Sequence, residues 1–134
     1  MSRDWVKDIN EMQDKFGVHD WMKENPEKHY EFLKFRLKFI QEEIDESFHS
    51  LYNSDPEETV DALIDMCVVA IGTLDAFGVD AHKAWDKVLE ANMAKEKGMK
   101  ASRPNSLGLP DLVKPEGWVG PDHTGNHGLI GDID

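Results

Sequence analysis

The sequence holds almost nothing from which a cross-linked or redox centre could be built: its 134 residues include one cysteine, Cys67. No intrachain disulfide can form, and a reducing compartment is expected. Cys67 lies in the run Met66-Cys67-Val68-Val69-Ala70-Ile71, where the expectation is a buried small hydrophobe. Long apolar runs are missing as well. None reaches the ~20 residues that span a bilayer. The opening Met1-Ser2-Arg3-Asp4-Trp5 does not read as a signal peptide, so a cytoplasmic location is expected. Basic charge is scarce: 15 Lys and Arg stand against 27 Asp and Glu, a net charge of −12. Phosphate backbones and anionic membranes are repelled by such a balance, which excludes nucleic-acid polymers and membrane surfaces as main partners. A small phosphorylated ligand stays open, because a bound cation inverts the local field. There is no internal repeat, and no stretch alternates in the Val/Ile/Thr manner of a sheet.

What remains is helical periodicity in a chain sized for one domain. Trp5, Ile9, Met12 and Phe16 predict a first helix over about Asp4–Phe16, stopped by Gly17. A link, Gly17 to Asn25, follows. Asn25 as cap and Pro26 as first residue open a second helix to about Tyr52, striped by Leu33, Leu37, Ile40, Ile44, Phe48 and Leu51. Asp55, Pro56 and Glu58 form a capping pattern for a third helix that runs to about Phe77 before Gly78. That helix is apolar over most of its surface and is expected at the centre of a bundle. A fourth helix is predicted from Asp80 to about Lys97, with Gly98 after it. Residues 98–134 read as irregular. The fold class is all-α, a bundle of about four to five helices. Residues 1–122 form the expected domain and 123–134 an irregular C-terminal tail.

Acids dominate residues 42–65. Positions three or four apart share a helix face, so Glu42, Glu43 and Glu46 cluster beside the stripe of the second helix. Glu58, Asp61 and Asp65 fall on one line of the third. Asp61 and Asp65 sit among Val60, Ala62, Leu63, Ile64 and Met66, on a helix with little solvent face, so these acids are expected to meet the neighbouring helix. Facing rows of carboxylates repel one another. A divalent cation relieves that repulsion, and an all-oxygen donor set favours Mg²⁺ or Mn²⁺ over Zn²⁺. The expected metal set is Glu43, Glu46, Glu58 and Asp61, with Glu43 and Glu46 the catalytic candidates and Glu42 and Asp65 supporting from behind. The competing reading is a solvated acidic face, with Glu58 serving only as a cap; for Glu57 it is the better one. Carboxylate-held metal with open positions suits phosphate chemistry: the ion neutralises phosphate oxygens and activates a water.

The runs Leu37–Glu46 and Glu58–Asp65 resemble the all-α nucleoside triphosphate pyrophosphohydrolases, the MazG-like and phosphoribosyl-ATP pyrophosphohydrolase-like enzymes. Their signature is E-x-x-E, a gap, then E-x-x-D; here the gap runs from Ser47 to Glu57, at the short end. Ile9–Gly17, Ala70–Asp80, Glu90–Lys95 and Val113–Asp122 resemble the branch common in phages, so the likeness covers most of residues 5 to 122. It implies attack of water on the α-phosphorus of a (deoxy)nucleoside triphosphate, releasing monophosphate and pyrophosphate, with Mg²⁺ or Mn²⁺ and two or more ions per site once substrate binds. It implies a homodimer or homotetramer. Asn92 and Lys95 match a substrate-contacting pair, expected on one face of the fourth helix. Arg36 is a further phosphate candidate, with a surface ion pair equally open. Arg103 is a weaker one, a plain loop arginine being the alternative. Trp21, Phe35 and Phe39 are stacking candidates for a base, with core packing preferred. His123 and His127 read as tail residues rather than metal ligands.

The likeness leaves the biological use open between pool sanitation and pool remodelling. A guanine-nucleotide role in a phage, in the host cytoplasm, is one form of the latter. The rivals are a non-enzymatic helical interaction module and the histidine-synthesis hydrolase acting on phosphoribosyl-ATP.

Overall fold

Side-chain caps start two of the helices. In the computed structural model, which describes residues 3–100, 102, 107–108 and 111–133, the Asp4 carboxylate accepts from the Lys7 amide (3.0 Å) ahead of α1 (Trp5–Lys15). Asp55 accepts from the Glu58 amide (3.1 Å) ahead of α4 (Pro56–Ala76). Each such cap contributes about 1 kcal/mol. Between them lie α2 (Val18–Glu24) and α3 (His29–Tyr52), and α5 (Ala81–Met93) follows. The all-α expectation holds. Among the described residues strand is confined to β1 (Glu96–Gly98) and β2 (Asp111–Val113), an antiparallel pair that sets Glu96 against Val113. No single described helix is long and apolar enough to cross a membrane.

The structure corrects three boundaries. The expected link Gly17–Asn25 contains α2. Gly17 takes a left-handed conformation (φ 77°) that ends α1 and lets the chain turn straight into a new helix. Val18, Trp21 and Met22 give α2 its apolar face, and Met22 is fully buried. Pro26–Lys28 form a 3-10 turn, so α3 starts at His29 rather than at Pro26. The fourth predicted helix stops at Met93, and after a short turn Glu96–Gly98 go into β1 instead.

Three cross-helix hydrogen bonds fix α3 against α4 as an antiparallel pair. Ser50 Oγ meets Thr59 Oγ1 (2.8 Å) near the turn. Arg36 Nε donates to Thr73 Oγ1 (3.1 Å), and its Nη2 donates to the Val69 carbonyl (3.2 Å), farther along. The seam is polar on one side and small on the other. His29, Glu43 and Ser50 are buried on α3, with Arg36 half-buried between them, each seven residues from the next. Opposite them α4 buries Ala62, Val69, Gly72, Thr73 and Ala76. A seven-residue step keeps one face of a helix on its partner.

The chain divides into two units, Met1–Ala81 with Asn126–Asp134, and His82–Gly125. In the first, Met22, Ala76 and Phe77 form the core, joined by Val18, Phe32, Leu33, Val79, Ile130 and Ile133. His29 packs edge-on against Phe77 (5.7 Å between centroids) and donates through Nε2 to the Met22 carbonyl (2.7 Å). Residues expected as an irregular tail thus belong to this core. Asn126 hydrogen-bonds both the amide and the carbonyl of Asp80, and the Leu129 amide donates to the Phe77 carbonyl (2.7 Å), ahead of Ile130 in the 3-10 helix Gly128–Asp132. In the second unit, Trp118 Nε1 donates to the Ala91 carbonyl (2.8 Å), holding the 113–122 segment on α5.

One expectation about α4 needs amending. The helix is apolar nearly all round, yet Val60, Leu63 and Ile64 stay exposed. Cys67 is half-buried rather than fully enclosed.

Candidate active site

The α3–α4 seam puts one carboxylate where carboxylates are rarely found. Glu43 is only 6% exposed, and its Oε2 is buried without a hydrogen-bond partner. Leaving such an atom unpaired costs about 1–3 kcal/mol. Burial pushes its pKa up. The charge of Glu46 adds to that, followed by the charge of Asp65, a hydrogen bond with the Glu46 side chain, and the charge of Asp61. Four acids from two helices therefore act on one buried spot. Glu46 and Asp61 are exposed and Asp65 is half-buried, so the cluster opens toward solvent on one side.

Glu42 and Glu58 are exposed. Glu58 lends its amide to the Asp55 cap. As the side chains stand, no three His, Cys, Asp or Glu among the described residues converge into a ready ion cage. The donor set is nonetheless all oxygen, and it centres on an orphaned carboxylate oxygen. Both traits fit a hard divalent cation.

Arg36 is committed to the fold. Its guanidinium bridges to Thr73 and Val69, lies 5.8 Å from the Phe32 ring centroid, and has its pKa lowered by burial. Its approach depends on Gly72: a Cβ there would lie 2.5 Å from Arg36 Nη2 and 2.7 Å from Gln13 Oε1. Arg103 lies outside the described residues. Asn92 and Lys95 belong to the second unit. Because α5 ends at Met93, the two do not share a helical face; they are joined by a turn in which the Lys95 amide donates to the Asn92 carbonyl (3.1 Å). The Lys95 ammonium lies 5.2 Å from the Trp118 ring centroid, and that of Lys114 lies 5.1 Å from it. A hollow of about 520 Å³ beside the indole is lined by Lys87, Glu90, Ala91 and Asp122, among others. Trp21 packs on Phe32 and Phe35 on Phe39, while Phe35 keeps one face to solvent. His123 lies in the second unit and His127 in the first.

A second polar centre had no place among the expected site residues. Asp75 on α4 accepts from Asn10 Nδ2 (2.6 Å), Gln13 Nε2 (2.7 Å) and His19 Nε2 (2.7 Å). Gln13 also donates to the Gly72 carbonyl (2.9 Å), and His19 Nδ1 faces Asp14 (3.2 Å). With carboxylates at both ring nitrogens, His19 has its pKa raised, mainly by the hydrogen bond to Asp75. Burial works to raise the pKa of Asp75, but the bonds from Asn10, His19 and Gln13 outweigh it and hold the carboxyl low. An acid inside an apolar stretch was the available signal, the same one that marks Asp61 and Asp65.

A helical hairpin with a buried carboxylate cluster in its seam, inside an all-α unit, defines the class to which the molecule belongs. A family model described as phosphoribosyl-ATP pyrophosphohydrolase matches residues 10–92. The chain belongs to that family, the MazG-like all-α pyrophosphohydrolases. The match takes in Glu43, Glu46, Glu58, Asp61 and Asn92 and stops short of Lys95 and Trp118. A search of curated proteins finds no match.

Proposed function

We propose that this chain is a metal-dependent pyrophosphohydrolase that converts a (deoxy)nucleoside triphosphate to its monophosphate and pyrophosphate. The observation that carries the reading is Glu43: it is buried, its Oε2 has no hydrogen-bond partner, and the charges of Glu46, Asp65 and Asp61 act on it. A protein whose role was only to dock a partner would gain nothing from an uncompensated acid in its seam. A pyrophosphohydrolase does, because the cost is recovered when a cation enters. Glu43, Glu46 and Asp61 would hold Mg²⁺ or Mn²⁺, with Glu58 as a further donor from the first turn of α4. The ion, once bound, would neutralise phosphate oxygens and lower the pKa of a coordinated water. Exposed Glu46 is free to swing toward the ion or to take a proton from that water. Lys95, beside Trp118, is the candidate for phosphate contact.

The test is a panel of nucleoside triphosphates with Mg²⁺ and with Mn²⁺, read by pyrophosphate release. Glu43→Gln and Asp61→Asn should each lower turnover by at least about a hundredfold, the scale of losing an electrostatic catalytic element. Unchanged turnover in both variants would remove the acids from the mechanism. The family description favours a second substrate, phosphoribosyl-ATP; a strong preference for it over every simple triphosphate would establish that reading instead. The outward apolar residues Val60, Leu63 and Ile64 support a homo-oligomer, dimer or tetramer, which light scattering would size.

A further inference from the structure

The His82–Gly125 unit holds a hollow that its own packing does not require. About 520 Å³ opens beside the Trp118 indole, lined from α5 and from the 115–122 segment. Ligand sites run to about 300–1,000 Å³, whereas one water takes about 30 Å³. The indole itself is fixed. Its Nε1 donates to the Ala91 carbonyl (2.8 Å), and a Cβ on Gly120 would lie 3.4 Å from its Cζ3, so the backbone runs close along the ring. A segment that served only to cover α5 would close over the ring. This one holds the ring still and leaves space beside it, which lowers the ordering cost of binding.

We infer that this hollow is a nucleotide site, in which Trp118 is the platform for the base and Lys114 a contact for the phosphate. Three kinds of group meet there. Trp118, Ala91 and Val119 give an apolar wall, and an indole stacks on any base. The Lys95 and Lys114 ammoniums lie 5.2 and 5.1 Å from the indole centroid, close enough to meet a phosphate carried by a stacked base. Glu90 and Asp122 bring carboxylate acceptors for the N–H and O–H groups of base edge and sugar, and Asp122 Oδ1 is itself held by the amide (2.9 Å) and hydroxyl (2.6 Å) of Thr124. A wholly apolar ligand would strip water from these carboxylates without repaying it. The charge distribution agrees. Residues 82–125 carry seven of the chain's 15 Lys and Arg and six of its 27 Asp and Glu, a net charge of +1, while the rest of the chain carries −13. A phosphate meets no net repulsion from this unit. Because ammoniums meet that charge directly, binding here does not require a divalent ion. The family match ends at residue 92, so Trp118, Lys114 and the 115–122 wall belong to this chain beyond the matched stretch.

The inference deepens the proposed reading, and binding in EDTA separates it from turnover. Adenosine, guanosine, cytidine and uridine 5′-monophosphates, the free nucleosides and ribose 5-phosphate are titrated into the full chain by calorimetry, with thermal melts checking the fold. At least one monophosphate should bind, and at least about fivefold tighter than ribose 5-phosphate, which has no base to stack. Trp118→Phe loses the bond to Ala91 but keeps a stacking ring, and Trp118→Leu loses both. The phenylalanine variant should stay close to wild type, and the leucine variant should weaken the monophosphate by at least about fivefold. Lys114→Gln should weaken the monophosphate and leave the nucleoside unchanged. A wild type that binds no monophosphate overturns the inference. So do equal losses in the two Trp118 variants, which would make the indole a structural tie alone. A raised KM with unaltered kcat in Trp118→Leu would identify the ligand as the substrate, and an unaltered KM would identify it as a second nucleotide; either upholds the site. Monophosphate binding in a chain that cleaves no triphosphate would uphold it while sinking the proposed reaction.

Discussion

His19 Nε2 stands 2.7 Å from Asp75 Oδ2 and ties the short helix α2 to the inner face of α4. The pH dependence follows from two shifts of opposite sense. His19 is raised above its ordinary 6.5, so its contribution is complete below that value and fades as pH rises through the folded pKa. Asp75 is held below its ordinary 3.8, so its contribution is complete above that value and is lost as pH falls through the folded pKa. The tie is therefore strongest between about pH 4 and 6.5. Urea unfolding of wild type and His19→Gln should differ more at about pH 5.5 than at about pH 8.5. The excess should stay near 1 kcal/mol, because the ring is partly solvent-screened. Equal differences at both pH values would show that His19 contributes only packing.

Much of this arrangement is legible in the sequence. Asn25-Pro26 and Asp55-Pro56 mark where the long helices begin, to within a 3-10 turn, and acids amid apolar residues mark the α4 face that meets α3. What could not be read was the register. It is set by Ser50–Thr59 across the turn and by Arg36–Thr73, a contact between residues far apart in sequence. The β1–β2 ladder was unreadable for another reason. Strands of three residues show no period, and Gly98 looked like a helix stop when its task is to make room for Val113. The tail was opaque because Ile130 and Ile133 are isolated apolar residues, with no pattern to say that they close over Phe77.

Arg36 offers a test that separates a structural tie from a substrate contact. Lysine cannot reproduce its two directed bonds to Thr73 and Val69. Arg36→Lys should lower stability by about 1–2 kcal/mol in urea titration, the scale of lost charge-assisted bonds, while leaving KM for the preferred nucleotide unchanged. Gly72→Ala should mimic it, since the added methyl meets both Arg36 and Gln13. A raised KM with unaltered stability in Arg36→Lys would move the arginine into the substrate site.

The closing segment makes a prediction about stability rather than chemistry. Ile130 and Ile133 pack on the Met22–Phe77 cluster, and Phe77 is wholly enclosed. Cutting each to alanine removes apolar contact and leaves a cavity, at roughly 1–2 kcal/mol apiece for half-buried sites. Asn126→Ala should add about 1 kcal/mol by freeing both backbone groups of Asp80. Thermal melts should show the three losses, with metal affinity unaltered. A melt insensitive to all three would mean that the segment does not hold the core.

Gly98 and Val113 provide the sharpest check on the second unit. A Cβ on Gly98 would collide with Val113 Cγ2, the far end of a stiff, β-branched side chain. Gly98→Ala should therefore open the β1–β2 ladder, costing about 1–3 kcal/mol as overpacking does. Val113→Ala alone removes two half-buried methyl groups and should cost about 1 kcal/mol. Together the changes should be less harmful than Gly98→Ala alone, because the collision has gone; the coupling energy from the four proteins should be favourable by about 1 kcal/mol or more. Amide exchange measured along both strands, Glu96–Gly98 and Asp111–Val113, reports the same event locally. Strict additivity across the cycle would mean that the two residues do not meet and that the strand pairing is wrong.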